Sequence, residues 1–327
     1  SKKTGGEIMH LVLLFAILII SVAGLYYGAD FLIRGAVDIA NYFKISKMVI
    51  ALTLVAAGTS MPEFFVTLLG AIKGKPDIAV GNIVGSNIAN ITLVLAIACL
   101  IFPFTVKRRT RQLDFPIVIA LSALFFWFMQ DGLIGRLEGI ILFVLFLGYV
   151  FFFLVYSKKK PDAVSLSEVL EHEDKVEYTS KFLLKSGGFV LLGVALLYGA
   201  SEGLIYSAVE FARMLGLSES VIGFTMVAVG TSIPEIFTSA IASFKHEEDI
   251  SFGNVLGSNF LNIAMVMGIV AFISPVPVQK MVAQREALGM LVITLAIYPL
   301  AFAKRLGRVA GMAMLALYAA FLFMIFR

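Results

Sequence analysis

Two glutamates stand at the centre of apolar segments, each inside nearly the same phrase. The phrases are VAAGTSMPEFFVT, Val55–Thr67, and VAVGTSIPEIFTS, Val227–Ser239. A carboxylate in the middle of a membrane-depth segment is expensive, and its default reading is an ion site. The surroundings of Glu63 and Glu235 fit that chemistry. Pro62 and Pro234 cannot donate an intrahelical hydrogen bond and clash with the preceding turn, and Gly58 and Gly230 stand four residues earlier. Each helix is therefore expected to break into two halves, which is tolerated at membrane depth only inside protein or along a wet cavity. Carbonyls freed around Ala56–Thr59 and Ala228–Thr231 join the hydroxyls of Thr59, Ser60, Thr231 and Ser232 as ligands. All are hard oxygen donors, the type that Ca2+ and Na+ prefer.

The segment that follows each phrase adds GNIVGSNIANI, Gly81–Ile91, and GNVLGSNFLNI, Gly253–Ile263. Ser86 and Asn90 are four apart and share a helix face, as do Ser258 and Asn262. Gly81, Gly85, Gly253 and Gly257 form small-xxx-small pairs that let helices approach closely. Asn87 and Asn259 have two readings at this level, as ligands or as hydrogen-bonding links between helices.

The elements that must position these groups are membrane helices. Of 327 residues, 60% are hydrophobic and 15% charged, and the mean hydropathy is +0.95. A soluble chain carries far more charge. Apolar stretches near the ~20 residues needed to span a bilayer recur at 9–36, 48–72, 78–101, 113–130, 134–156, 182–211, 219–244, 250–273, 287–303 and 309–326. Strand alternation is absent, so the spans are read as helices rather than a barrel. The single cysteine, Cys99, excludes disulfides and cysteine-based metal sites, and the three histidines lie at segment ends or in loops. With no membrane-centred histidine or paired aspartates, an intramembrane protease is not expected.

A shift of 172 positions places Thr53–Pro103 on Thr225–Pro275 without a gap, with 23 of 51 residues identical. YYGADFLIRGAVDIA, Tyr26–Ala40, weakly echoes LYGASEGLIYSAVEFA, Leu197–Ala212. The expected fold is an all-α polytopic membrane protein of ten transmembrane helices, built as two inverted five-helix repeats with broken helices at the ion site. An odd number of spans per repeat turns the second repeat upside down, a common plan for transporters. The expected division is a tail at 1–8, a first repeat at 9–156, a linker at 157–181 and a second repeat at 182–327. If loops alternate sides, one face collects 17 of the 26 basic residues. The positive-inside rule then places the linker in the cytoplasm and both termini outside. The acidic cluster of the linker lacks the spacing and glycine of an EF-hand loop and reads as solvated.

Taken together, GTSMPE…GSNIANI and GTSIPE…GSNFLNI resemble the two α-repeats of the calcium/cation antiporter superfamily, in its sodium/calcium exchanger branch. The resemblance covers essentially the whole chain. It implies that Glu63 and Glu235 coordinate a central Ca2+ together with the Thr59 and Thr231 carbonyls. It further implies that the Ala56 and Ala228 carbonyls, Thr59, Ser60, Thr231, Ser232, Ser86 and Ser258 line sodium sites, with Asn90 and Asn262 at the centre. Some prokaryotic and potassium-dependent members have aspartate where Asn262 stands, and the proton/calcium branch has Gly-Asn in place of Gly-Thr-Ser. The implied activity is exchange of Na+ for Ca2+ across an inner or plasma membrane, three Na+ per Ca2+, with no cofactor, nucleic acid or obligate protein partner. A proton/calcium antiporter and a cation channel are the competing expectations.

Overall fold

The computed structural model describes residues 2–159, 179–215, 229–280, 282–303 and 305–325. Ala228 and most of the 157–181 linker, Ser165 included, lie outside the described residues. The fold is all-helical apart from two-residue strands. The helices are α1, Lys2–Phe43; α2, Lys47–Thr59, and α3, Met61–Ile72; α4, Pro76–Ile101, and α5, Thr110–Phe128; and α6, Arg136–Lys159. After the linker come α7, Ser180–Met214; α8, Ile233–Phe244; α9, Glu248–Ile273, and α10, Arg285–Phe302; and α11, Arg308–Ile325. Among the described residues seven helices are long and apolar enough to cross a membrane, or eight with the bent pair α2–α3 counted as one span. The chain is a membrane protein. Helix α8 and the apolar part of α11, Arg308–Met324, are shorter apolar helices.

Polarity is turned inward. Of the apolar stretch of α4 and of α9, 78% is buried, against 17% for α1 and 22% for α7, so α4 and α9 form the centre. Asn254, Ser258 and Asn262 recur every four residues of α9 and are all buried, which puts a polar stripe on one helix face. Outward positions such as Ile19, Val144, Phe151 and Leu191 are exposed and apolar, as a lipid-facing surface requires. Burial in a membrane gains little from hydrophobicity, so contact between helices depends on close packing and polar links.

Helices α1 and α7 lie antiparallel. A Cβ on Gly193 would sit 2.6 Å from Leu32 N and 2.7 Å from Gly28 O, and one on Gly35 would sit 2.6 Å from Ser186 O. Only glycine allows these backbones to touch. At the centre, a Cβ on Gly257 would fall 2.8 Å from both Ala56 Cβ and Leu52 Cα, and one on Gly253 would fall 2.6 Å from Ala51 Cβ. The glycine spacing of the second phrase therefore brings α9 against α2. Gly81 and Gly85 meet no described atom within 4 Å, so the same contact is not seen for the first phrase.

Cross-pairing between the halves is reciprocal. Leu133–Ile134 (β1) pairs antiparallel with Val276–Pro277 (β2), with Ile134 opposite Val276. Phe104 pairs with Leu306 in an isolated bridge. Ile134 and Leu306, like Phe104 and Val276, are related by the shift of 172 found in the sequence. Contacts in which i meets j and the equivalent of i meets the equivalent of j are the signature of a two-fold relation.

One tie breaks that relation. Asp30, buried on α1, pairs with Arg34 at 2.8 Å and with Lys245 at the end of α8. Lys73, the equivalent of Lys245, is exposed, as is Glu202 on α7, and neither pairs with a described residue.

Candidate ion-binding site

The site forms where α2–α3 and α8 meet α4 and α9. Helices α2 and α3 are bent by 50° at Ser60, one residue before the Met61–Pro62 start of α3. Pro234 occupies the same place at the start of α8, whose N-cap is Ser232. Each glutamate thus lies in the first turn of a half-helix, where unpaired N–H groups and the helix dipole favour an anion. Not every carbonyl before the break is freed. Ala56 O accepts the Ser60 N–H at 3.0 Å and lies 3.3 Å from the Thr59 hydroxyl. The missing N–H of Pro62 instead removes the partner of the Gly58 carbonyl.

Both carboxylates are fully buried and each is held by a hydroxyl of the other half. Ser60 Oγ donates to Glu235 Oε1 at 3.2 Å, and Ser232 Oγ to Glu63 Oε1 at 3.5 Å. Ser258 Oγ donates to Glu235 Oε1 at 3.3 Å and stands 3.4 Å from Thr59 Oγ1. Ser86 Oγ stands 3.1 Å from Thr231 Oγ1. The structure therefore brings together Glu63, Glu235, Thr59, Ser60, Thr231, Ser232, Ser86 and Ser258 as two interleaved sets. Glu63 Oε2 and Glu235 Oε2 have no hydrogen-bond partner among the described residues.

Asn90 and Asn262 open wide, π-type turns, Asn90–Val94 and Asn262–Met267. Such turns within α-helices are frequent at functional sites. The first turn packs on α8 and the second on α3. Asn262 Nδ2 donates to Asn87 Oδ1 at 3.3 Å, while its Oδ1, like both polar atoms of Asn90, is buried without a partner among the described residues. Buried polar atoms are normally paired. Glu63, Glu235, Asn90 and Asn262 thus each keep a buried oxygen without a partner among the described residues, the kind of atom that a cation satisfies. Asn259 Nδ2 donates to the Asn87 carbonyl at 3.1 Å, so these two asparagines link α4 to α9, while Asn259 Oδ1 is buried without a partner among the described residues.

Two residues within the quoted phrases escaped selection as site residues, Asn82 and Asn254. Asn82 Nδ2 reaches Thr67 Oγ1 at 2.9 Å and the Glu63 carbonyl at 3.1 Å, and its Oδ1 accepts from Thr231 Oγ1 at 3.2 Å. Asn254 Nδ2 reaches Ser239 Oγ at 3.0 Å, and its Oδ1 accepts from Thr59 Oγ1 at 3.1 Å. Their signal was available. Each stands four residues before Ser86 or Ser258, on the same helix face.

No group of three or more His, Cys, Asp or Glu able to hold a metal exists among the described residues. Two carboxylates amid neutral oxygens are a hard-donor set of the type that Ca2+ and Na+ prefer. Fold and site together define a helical membrane protein with a buried cluster of carboxylates, hydroxyls and amides at its centre. A family model described as sodium/calcium exchanger protein matches the chain twice, at residues 13–155 and 185–327. The chain belongs to the sodium/calcium exchanger family, within the calcium/cation antiporter superfamily. It is 35% identical to CaxA of Alkalimonas amylolytica over 311 residues, 92% of this chain and 95% of the relative. It is 30% identical to the sodium/calcium exchanger MaX1 of Methanosarcina acetivorans, over 82% of this chain and 85% of the relative. Among solved structures it resembles the sodium-calcium exchanger NCX_Mj soaked with zero Na+ and Ca2+, with a TM-score of 0.80 and 27% identity. That match covers 94% of this chain and 97% of the other.

Proposed function

We propose that this protein exchanges Na+ for Ca2+ by alternating access, three Na+ for each Ca2+. The observation that carries the reading is the pair of buried carboxylates, each clasped by the other half and each with one oxygen unpartnered among the described residues. With both charged, the empty site holds −2, and enclosing it bare in a low-dielectric interior costs several kcal/mol. One Ca2+ cancels that charge and three Na+ leave +1, so a loaded carrier closes while an empty one is held open. That difference makes exchange obligatory. Glu63, Glu235 and the Thr59 and Thr231 carbonyls hold Ca2+. The Ala56 and Ala228 carbonyls and the hydroxyls of Thr59, Ser60, Thr231, Ser232, Ser86 and Ser258 serve Na+, with Asn90 and Asn262 between them; the Ala56 carbonyl does so through the lone pair that the Ser60 N–H leaves free. Asn262 is an amide where a third carboxylate would take up a proton or favour K+.

In proteoliposomes, an outward Na+ gradient at neutral pH is expected to drive uptake of radioactive Ca2+. Replacing external choline by K+ changes nothing, and collapsing the pH gradient with an ionophore changes little. Na+-free uptake driven by a proton gradient overturns the choice of counter-ion, and flux without any counter-ion makes the protein a channel.

The same reading includes ten spans in two inverted repeats, 9–156 and 182–327, with the 157–181 linker in the cytoplasm and both termini outside. The reciprocal cross-pairing and the double family match support it. Single cysteines Ser165→Cys and Gln279→Cys, in a Cys99→Ala background, are expected to label from opposite sides of intact cells. Labelling of both from one side contradicts the inversion.

A further inference from the structure

The hydroxyls of Thr59 and Thr231 are useful to a cation only if their oxygen lone pairs, not their protons, face it. A hydroxyl has one proton and two lone pairs, so something must hold the proton on the far side. Asn82 meets that need for Thr231. Its amide nitrogen lies 3.1 Å from the Glu63 carbonyl, which can only accept. This fixes which end of the amide is which. Asn82 Oδ1 therefore points at Thr231 Oγ1, 3.2 Å away, and can only take that hydroxyl's proton. The oxygen of Thr231 is left with lone pairs on the side of Ser86 Oγ. Asn254 repeats the arrangement for Thr59. Its nitrogen lies 3.0 Å from Ser239 Oγ, and that hydroxyl has its own outlet in the Ser251 carbonyl. Of the two acceptors in reach of the Thr59 proton, Asn254 Oδ1 at 3.1 Å is nearer than the Ala56 carbonyl at 3.3 Å, and with the proton on Asn254 the Thr59 lone pairs turn toward Ser258 and, beyond it, Glu235.

We propose that Asn82 and Asn254 are positioning residues that act across the two halves. Each holds the proton of the opposite half's threonine, so that the threonine oxygen is presented to Na+. Both amides are buried, and each is anchored behind by a hydroxyl of the half-helix that carries its own glutamate, Thr67 or Ser239. The amide thus couples one carboxylate's helix to the other half's sodium ligand. The proposal rests on the exchange reading above.

The test uses the purified full chain in detergent, with thermal stabilisation titrated by Na+ and separately by Ca2+. Asn82→Ala and Asn254→Ala are each expected to raise the half-saturating Na+ concentration about tenfold, the factor of one well-placed hydrogen bond. The Ca2+ midpoint, set by the carboxylates, moves less than about threefold by the same measure. The decisive variants are the doubles. Asn82→Ala with Thr231→Val, and Asn254→Ala with Thr59→Val, should be no worse than the threonine variant alone, because the asparagine acts through that hydroxyl. The crossed double, Asn82→Ala with Thr59→Val, should show the product of its two single effects. A merely structural role predicts multiplication in all three doubles, and that result overturns the proposal. So does a wild-type Na+ midpoint in either alanine variant. The two Asn–Thr pairs are independent copies of the test, so a variant that fails to fold leaves the other pair decisive. A wild-type protein that Ca2+ stabilises and Na+ does not would sink the exchange reading itself, and this inference with it.

Discussion

Glu63→Gln and Glu235→Gln are each expected to reduce Na+-driven Ca2+ uptake at least about a hundredfold, the value of one buried charge-assisted ligand, to the background of empty liposomes. Glutamine keeps the shape and one carbonyl oxygen but removes the charge that Ca2+ needs. Neither glutamate is used to hold the fold together through an ion pair, since the partners of their Oε1 atoms are serine hydroxyls. Replacing a buried carboxylate by its amide also removes a desolvation cost. Both variants should therefore elute and melt like wild type, or somewhat higher, while failing to exchange. Wild-type uptake by either one sinks the assignment of the site. A variant that unfolds would instead reassign that glutamate to structure.

The second large effect concerns a residue with no donor atom. Gly257 lies on α9 one position before Ser258, and its missing side chain is what lets α2 approach. A Cβ there would sit 2.8 Å from Leu52 Cα and 2.9 Å from Leu52 O. Backbone cannot swing aside as a flexible side chain does. Gly257→Ala should push α2 away from α9 and stretch the 3.1 Å and 3.4 Å contacts of Thr59 to Asn254 and Ser258. Overpacking of this kind costs roughly 1–3 kcal/mol, and Gly257→Leu is expected to abolish exchange and lower the melting temperature. Gly148→Ala in α6 is the control. Its Cβ would meet no described atom within 4 Å, and alanine in a helix interior gains roughly 0.5–1 kcal/mol over glycine. Normal exchange by Gly257→Leu would show that the α2–α9 contact does not shape the site.

Much of this molecule was legible before any coordinates. The carboxylates, the prolines that end a helix beside them and the serine–asparagine spacing all follow from local rules. A buried acid needs a partner, proline removes an N–H, and residues four apart share a face. The duplication also told which residues of one half correspond to those of the other. It could not tell which would touch. Ser60 holds the glutamate of the opposite half rather than its own neighbour, and Asn82 and Asn254 reach across to Thr231 and Thr59. Such contacts depend on how two halves are docked, and residue type and spacing within one half are silent on that.

The wide turns at Asn90–Val94 and Asn262–Met267 were not foreseen for a related reason. Nothing in NITLV or NIAMVM forbids an ordinary α-helix, and the contacts of these turns with α8 and α3 are made between elements far apart in the chain. Only the tertiary structure distinguishes Lys245 from Lys73. The repeat makes them equivalent, yet Lys245 reaches Asp30 on α1 while Lys73 is exposed on the opposite copy. Local sequence fixed the chemistry of the site, because a carboxylate, a hydroxyl and a proline behave alike wherever they stand. The fold decided which half supplies each ligand, and where the symmetry of the repeat is broken, because those are properties of helices pressed together in space.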